Sequence, residues 1–178
     1  MKKIITCFLL LLFCASGYAQ KHERWDVKTV TDGFKPNFKS KQKVTVNKMH
    51  ERTKIPVKSA QPRLNFEKKL ATITGTVVRI KLESGIDGDN DYHIEIADGT
   101  LDDSTVVCEA VDPEDSSAAT SPMLSRFEKV RKLAKQLKLG DKVTFTGLLF
   151  QDKYHSPSQH RTRNFVEIHP ILTAKRAK

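Results

Sequence analysis

Two segments of the chain carry histidine and glutamate at alternate positions. One is His93 and Glu95 within YHIEIA, and the other is Glu167 and His169 within VEIHPIL. In a β-strand, side chains two positions apart lie on the same face, so each segment would present an imidazole beside a carboxylate. Imidazole and carboxylate groups are ligands that zinc and similar divalent ions take from proteins.

If the two segments are close in one sheet, the four side chains share one outer face. We therefore predict a divalent-metal site formed by His93, Glu95, Glu167 and His169, with Glu109 of a third strand between the two pairs. The same groups could instead form cross-strand ion pairs that stabilise the sheet without a metal. Both interpretations depend on register, because a shift of one residue turns a pair to the opposite face.

A polar loop at 152–163 is a second candidate site for a small or anionic ligand. It carries the cationic, imidazole and phenol groups of Lys153, Tyr154, His155, Arg161 and Arg163. Such groups suit a phosphate or an anionic sugar, in a place where OB-folds often hold ligands. The alternative is a mobile polar surface loop with no ligand.

Two other motifs lead to no site. Asp87 to Asp91 suggests calcium, but Tyr92 stands where an EF-hand needs glycine, so we predict a solvated hairpin turn. Cys108 sits among apolar residues in the middle of a strand, which predicts an inert, semi-buried thiol. The chain has no Gly-x-Ser-x-Gly, no phosphate-binding glycine loop and no Cys-x-x-Cys. Catalysis therefore has no positive support in the sequence.

The elements that would position these side chains come in the order three strands, a helix and two strands. Patterns rich in β-branched residues or alternating in polarity predict strands at 71–83, 92–96, 105–111, 142–150 and 164–172. Ser121-Pro122 and Gly140 mark the ends of the helix. This order is typical of a mostly β, OB-like five-stranded barrel with one helix between strands three and four. An α+β sandwich is the competing architecture.

The N-terminus has the features of a secretory signal peptide. Two lysines at 2–3 precede an apolar run at 4–13, and Gly17-Tyr18-Ala19 supplies the small residues of a cleavage site. We predict cleavage after residue 19, a mature chain that begins at Gln20, and export to the periplasm or the medium. The apolar run is shorter than the ~20 residues that span a bilayer, so no integral membrane segment is expected after processing.

Charge divides the mature chain into parts. Residues 20–68 hold 13 basic and 5 acidic residues, whereas residues 69–178 hold 16 of each. We predict a basic extended arm at 20–68, largely solvated or with short stretches docked on the domain, then an OB-like barrel domain at 69–173 and a basic tail at 174–178. Residues 83–115 contain 12 acids and no lysine or arginine. A single-strand nucleic-acid site needs a basic groove with stacking aromatics, so nucleic acid is an unlikely partner.

Several short motifs resemble a family of uncharacterised exported bacterial proteins with an OB-like domain. They are WDVKT at 25–29, DYH at 91–93, Glu109 with Asp112-Pro113, FTG at 145–147, and NFVEIHPIL at 164–172. The last segment corresponds to the GIELHPV or EIHPI type that closes the family's domain. Where members carry His-Gly, this chain has His155-Ser156. The resemblance implies a shared fold and export, and it implies no activity.

Three functions remain open from the sequence. The first is an exported, non-catalytic binding module for a small or anionic ligand or for another exported protein. The second is a metal-dependent hydrolase that uses the His/Glu cluster, with a glutamate as general base. The third is a nucleic-acid-binding OB-fold, which the fold suggests by analogy alone.

Overall fold

The computed structural model describes residues 24–84, 88–102, 104–153 and 164–177. In chain order, its elements are α1 (Trp25–Lys28), β1 (Lys41–Lys43), α2 (Val46–His50), a 3-10 turn (Phe66–Lys68), β2 (Leu70–Leu82), β3 (Tyr92–Ala97), β4 (Val106–Ala110), α3 (Ser116–Ala119), α4 (Leu124–Ala134), β5 (Lys142–Gln151) and β6 (Val166–Arg176). Among the described residues, no helix has the length and apolar character to cross a membrane.

Strands β2 to β6 close into a barrel. Their order is β2-β3-β4-β6-β5, and β2 also pairs with β5, which closes the ring. All neighbours are antiparallel except β4 and β6, which are parallel. Five strands closed in this order form an OB-fold barrel, so the predicted mostly β, OB-like architecture is confirmed. β6 extends to Arg176, so most of the predicted basic tail is part of a barrel strand.

The length of β2 allows it to pair with two neighbours. Residues 70–76 pair with β5 and residues 76–82 pair with β3, with an irregularity between Val77 and Arg79. Gly75 lies just before this irregularity. A Cβ at Gly75 would lie 2.6 Å from the carbonyl oxygen of Ala97, so the close approach of β3 requires glycine there.

Two helices, rather than one, lie between the third and fourth barrel strands. The predicted helix at 121–140 is shorter in the structure, and the four-residue α3 precedes it. Ser121 stabilises the turn before α4, because its hydroxyl accepts a hydrogen bond from the backbone N–H of Met123 at 3.1 Å. α4 packs Val130 and Ala134 into the main core inside the barrel.

The register of β6 differs from simple alternation at one point. Strict alternation would place Leu172 with Val166 and Ile168, but Ile171 joins them in the main core. Leu172 belongs instead to a second cluster with Phe127 and other apolar residues. The cause is a shift in the pairing of β5 with β6 around Gly147.

Short stretches of the arm dock on the barrel, whereas residues 31–43 and 51–66 are almost all exposed or half-buried. β1 adds a sixth strand to the sheet, parallel to β2. Val46 and Met49 of α2 are completely buried and belong to the main core, while Val30 belongs to the second cluster. The arm therefore supplies core residues, although its apolar residues follow no regular period.

Candidate functional site

Three adjacent strands bring the predicted side chains to one face. Residue 93 of β3 pairs with residue 109 of β4, and Cys108 of β4 pairs with Ile168 of β6. Because Cys108 and Ile168 point into the barrel core, their chain neighbours point away from it. The outward set consists of His93, Glu95, Glu109, Glu167 and His169.

The part of this outer face around His169 is buried, with α1 of the arm packed against it. The ring of Trp25 meets the ring of His169 edge-on, with centroids 6.5 Å apart. Phe150 of β5 lies on another side of His169, at 5.5 Å between centroids. The Trp25 indole N–H donates a hydrogen bond to Asp115 at 2.6 Å, which joins α1 to the start of α3. His169 is consequently 0% exposed.

His169 is surrounded by carboxylates. Its Nδ1 lies 2.5 Å from Glu109 Oε2 and 3.4 Å from Glu167 Oε1. Its Nε2 lies 3.5 Å from Oδ2 of Asp91, which precedes β3 and is also completely buried. The other oxygen of Asp91 accepts a hydrogen bond from the backbone N–H of Asp112 at 2.7 Å. Asp91 is thus held with one oxygen directed at the imidazole.

His93 has a similar environment. Its Nδ1 lies 3.0 Å from Glu109 Oε1 and 3.7 Å from Glu83 Oε1, and its Nε2 lies 3.5 Å from Glu95 Oε1. Each imidazole therefore faces three carboxylates, and Glu109 is common to both. One oxygen of Glu109 faces His93 and the other faces His169.

Several buried polar atoms around His169 lack hydrogen bonds. Within the described part of the chain, no hydrogen-bond partner is present for Asp91 Oδ2, Glu167 Oε1 or either ring nitrogen of His169. Leaving such an atom unpaired in a dry site costs about 1–3 kcal/mol. Native proteins keep few of these atoms, usually where an ion, a water or a function accounts for them.

The pKa values at the site reflect burial and the density of charge. Burial acts to lower the pKa of His169, but the Glu109 carboxylate outweighs it and raises that pKa to about 10. Burial acts to raise the pKa of Glu109, yet His169 holds it well below its ordinary value. Burial and then the charge of Glu109 raise the pKa of Glu167 to about 7. Burial, followed by the charge of Asp89, raises the pKa of Asp91.

Lys28 of α1 places an ammonium group beside these carboxylates. Its Nζ lies 3.9 Å from Asp89 Oδ2 and 5.5 Å from the centroid of the Phe150 ring. Burial acts to lower the pKa of Lys28, but Glu109, Asp152 and Glu167 together raise it above its ordinary value. The arm therefore contributes a largely buried cation to the site, and Trp25 covers His169.

The structure changes the predicted ligand set. Glu95 is held by other groups, because its carboxylate accepts hydrogen bonds from Arg79 at 3.1 Å and from Thr105 at 2.9 Å. Two sets of side chains offer ligand atoms that all lie within 4.8 Å of one another. The first set is Asp91, Glu109 and His169, and the second is Glu83, His93 and Glu109.

Two residues of the site were not found from sequence. Asp91 was assigned to a solvated turn, and that assignment is wrong because its side chain is completely buried against β6. Lys28 was assigned to the arm, more than 60 positions before the strands it contacts. The only available signal was that WDVKT at 25–29, DYH at 91–93 and the closing EIHP all belong to the same resemblance.

The polar loop and the cysteine have different outcomes. Lys153 lies at the surface, while Tyr154, His155, Arg161 and Arg163 lie outside the described residues.

Cys108 is fully buried in the barrel. Burial, with the charges of Glu167 and Glu109, raises the pKa of its thiol well above the ordinary value. This environment agrees with the expectation of an inert thiol.

Comparison with known proteins shows only distant similarity. No family model and no curated protein matches the chain. Among solved structures, it is similar to the Stn1–Ten1 complex of S. pombe, with 12% identity, a TM-score of 0.40, and coverage of 61% of this chain and 58% of that one. Less than two thirds of that relative's length is therefore matched.

Two further structures have similar scores. A single-stranded DNA-binding protein (SSBb) of Mycobacterium smegmatis shares 16% identity over 61% of this chain and 84% of its own, with a TM-score of 0.40. The OBody NL8, solved bound to hen egg-white lysozyme, shares 15% identity over 62% of this chain and 96% of its own, with a TM-score of 0.41. The OB-fold assignment rests on strand order and closure of the barrel.

Proposed function

We propose that the protein is an exported OB-fold binding module whose ligand is a divalent metal ion. The ion is held by Asp91, Glu109 and His169, and Glu167 contacts the second ring nitrogen of His169. The observation that carries this proposal is the completely buried imidazole of His169, whose two nitrogens lie 2.5–3.5 Å from the carboxylate oxygens of Asp91, Glu109 and Glu167.

Distances around His169 support a metal of the zinc type. Two ligands 2.0–2.2 Å from a tetrahedral ion are roughly 3.3–3.6 Å apart. His169 Nε2 and Asp91 Oδ2 are 3.5 Å apart. Glu167 Oε1 lies 3.4 Å from Nδ1, and a carboxylate on the far nitrogen of a metal-bound histidine fixes its orientation. An ion at this position would give the unpaired atoms partners.

Burial favours a binding role over hydrolysis. A catalytic zinc keeps a coordination position open to substrate, whereas a structural zinc is enclosed by protein. Asp91 and His169 are completely buried under Trp25 and its neighbours. A metal at this position would link the start of β3 to β4 and β6, beneath Trp25 of α1.

The competing explanation is an ion-pair network with no metal. In that case His169 is an imidazolium paired with Glu109, as its raised pKa allows. Metal binding requires the neutral imidazole, so an ion would displace that proton. The two explanations differ in metal content and in the response of stability to chelation.

The test is metal analysis of the mature chain, purified without chelator. We expect at least one zinc or similar ion per chain, and we expect His169→Asn to lose it while keeping the far-ultraviolet dichroism of the parent. His50→Asn is the matched control, because His50 contacts the carbonyl of Thr105 outside the cluster. A metal-free protein with no Zn²⁺ binding in titration, and with unchanged melting in EDTA, would overturn the proposal.

Export is part of this proposal and is supported by the signal-peptide features of residues 1–19. Mass spectrometry of protein from the exported fraction should give Gln20 as the first residue. An uncleaved chain, or a lipid on Cys14, would contradict it.

A further inference from the structure

Part of the outer face of the sheet is polar and open to solvent. Leu70 of β2 and Leu148 of β5 pair on this face, and both are buried in the second cluster with Phe127 of α4. Side chains two positions apart share a face of a strand, so Thr72 and Thr146 lie on the same face. The apolar part of the face therefore packs against α4, and the part beyond it carries threonines.

Four strands contribute two rows of side chains to this open part. In the first row, each residue pairs with the next across β1, β2, β5 and β6, in the order Lys43, Thr72, Thr146 and Thr173. In the second row, the pairs join β2, β5 and β6, in the order Thr74, Thr144 and Lys175. Neighbouring strands are about 4.8 Å apart, so the first row extends roughly 14 Å across the sheet.

The threonine hydroxyls in these rows keep hydrogen-bonding capacity. The hydroxyls of Thr72 and Thr146 lie 2.8 Å apart, and so do those of Thr74 and Thr144. In each pair one hydroxyl donates and the other accepts, so one O–H group and further lone pairs stay available. Such groups suit the hydroxyl and carboxylate oxygens of a sugar.

A depression of about 440 Å³ contains residues of both rows. Its lining combines these threonines with three exposed lysines, which are Lys41, Lys43 and Lys175. The volume is within the range of about 300–1,000 Å³ that is usual for ligand sites.

A second depression, of about 270 Å³, continues the first, because Thr173 and Ala174 line both. It adds two cations of α4, Arg126 and Lys129. The guanidinium of Arg126 lies 3.8 Å from the centroid of the Phe38 ring, which holds it in a defined orientation. The two depressions together form a continuous basic groove.

The positive charge of the basic groove is not balanced by acids. None of the residues that line it is an aspartate or a glutamate. Within the described part of the chain, none of its five cations forms an ion pair with a carboxylate. Lysines on an edge strand protect it from pairing with another sheet, which explains those on β1. The cations on β6 and α4 need another explanation, and a groove lined by one sign of charge attracts ligands of the opposite sign.

We propose that the basic groove binds a linear acidic polysaccharide. The lysines and Arg126 pair with its carboxylate or sulfate groups, and the threonines bind its hydroxyls. Single-stranded nucleic acid is a poorer fit, because its bases stack on aromatic side chains, and the described lining is cationic, hydroxylic or aliphatic. The groove shares no residue with the His169 cluster, so this inference does not depend on the metal proposal.

The experiment is titration of labelled alginate oligosaccharides and labelled dextran sulfate with the mature chain, followed by fluorescence anisotropy. We expect saturable binding that weakens as salt is added, and no binding of neutral dextran. The double variant Lys43→Glu with Lys175→Glu should bind at least about tenfold more weakly, because two attractive charges become repulsive. The matched control is Lys48→Glu with Lys58→Glu, which has the same net charge and changes two exposed lysines outside the groove. It should bind as the parent does.

The threonine contribution is tested by Thr144→Val, which keeps the shape of the side chain and removes its hydroxyl. We expect binding of alginate to weaken by about threefold or more. Equal losses in the two double variants would overturn the groove, because net charge alone would then account for binding. Equal or tighter binding of oligothymidylate with the same number of charges would overturn the choice of polysaccharide, and no binding of either acidic polymer would overturn the whole inference. The zinc content should be the same in all these variants, so failure here leaves the proposed function intact.

Discussion

Glu109 and Lys28 bring opposite charges to the cluster around His93 and His169. Glu109 is in contact with both histidines and stays ionised because His169 holds its pKa well below the ordinary value. Lys28 stays protonated because Glu109, Asp152 and Glu167 raise its pKa against the effect of burial. In the metal-free protein this ammonium compensates part of the buried negative charge, and it would repel an incoming ion.

Replacing Lys28 should therefore change stability and metal affinity in opposite directions. In Lys28→Met, the metal-free protein should lose roughly 2–4 kcal/mol of unfolding free energy, because breaking a mostly buried ion pair leaves its partner uncompensated. The affinity for Zn²⁺ should rise by about tenfold or more, because a nearby positive charge has been removed. Urea unfolding in EDTA measures the first effect, and competition titration of Zn²⁺ measures the second.

Lys48→Met is the control for this pair of measurements, because Lys48 is exposed on α2. Neither quantity should change by more than the experimental error in that variant. Weaker Zn²⁺ binding in Lys28→Met would contradict the position assigned to the ion.

Sequence reasoning at the residue scale succeeded where the signal was local. The alternation of histidine and glutamate in β3 and β6 was sufficient to identify His93, Glu167 and His169 as groups on one face. It did not show that Glu95 is engaged elsewhere, because its partners are Arg79 of β2 and Thr105, which precedes β4. Asp91 was missed because its aspartate-rich surroundings have the composition of a turn, and its contact with His169 depends on tertiary packing.

At the element scale, a buried ion pair fastens the start of the arm to the barrel. Arg24 donates two hydrogen bonds to the carboxylate of Glu67, at 2.8 and 2.5 Å, and a third to the carbonyl of Gln151 at 2.9 Å. Glu67 also accepts from the backbone N–H groups of Leu64 and Gln151. The beginning of α1, the 3-10 turn and the end of β5 are thus joined through two side chains that are 2% and 0% exposed.

Arg24→Met should consequently destabilise the protein by about 3–5 kcal/mol, because it leaves the Glu67 charge buried without its partner. Chemical unfolding followed by fluorescence of Trp25 reports the loss. Arg126→Met is the matched control, since the Arg126 guanidinium stacks on Phe38 in a half-buried setting and its removal should cost no more than about 1 kcal/mol. Equal losses in the two variants would mean that the buried pair has no special role.

The barrel strands could be predicted from sequence, but the arm could not. Strands β2 to β5 have local β-branched or alternating patterns, and their predicted bounds agree with the structure to within one or two residues. In the arm, Val30, Val46 and Met49 are scattered without a period, so no regular element indicates that they are buried. Their burial follows from an irregular path across the barrel, which depends on contacts far apart in sequence.

For the whole molecule, the uneven charge distribution has a structural explanation. The arm has a net charge of +8, and the segment 83–115 is strongly acidic. Lys28 lies against Asp89, and the Trp25 indole donates to Asp115, so the arm covers part of the acidic segment. Part of the arm's positive charge is therefore paired with an acidic residue of the same chain.

A chain that begins at residue 54 should fail to fold cooperatively. It lacks β1 and α2, it lacks the buried side chains of Val27, Val30, Val46 and Met49, and it exposes the His169 cluster to water. Truncating a single buried aliphatic side chain to alanine costs about 2–5 kcal/mol for the larger residues, and a domain has only about 5–15 kcal/mol in total. We therefore expect loss of the melting transition and of metal binding, measured by calorimetry and by metal analysis of the shortened chain.

The informative control is a chain that begins at Arg24, which removes only residues before α1. It keeps Trp25, Lys28 and the Arg24–Glu67 pair, so it should melt within a few degrees of the chain that begins at Gln20 and bind the same number of ions. Comparison of the two truncations separates the effect of shortening the chain from the effect of removing α1, which packs Trp25 against His169. A cooperative transition with metal retained in the chain that begins at residue 54 would show that the barrel is an independent domain, and that the arm contributes neither to its core nor to the site.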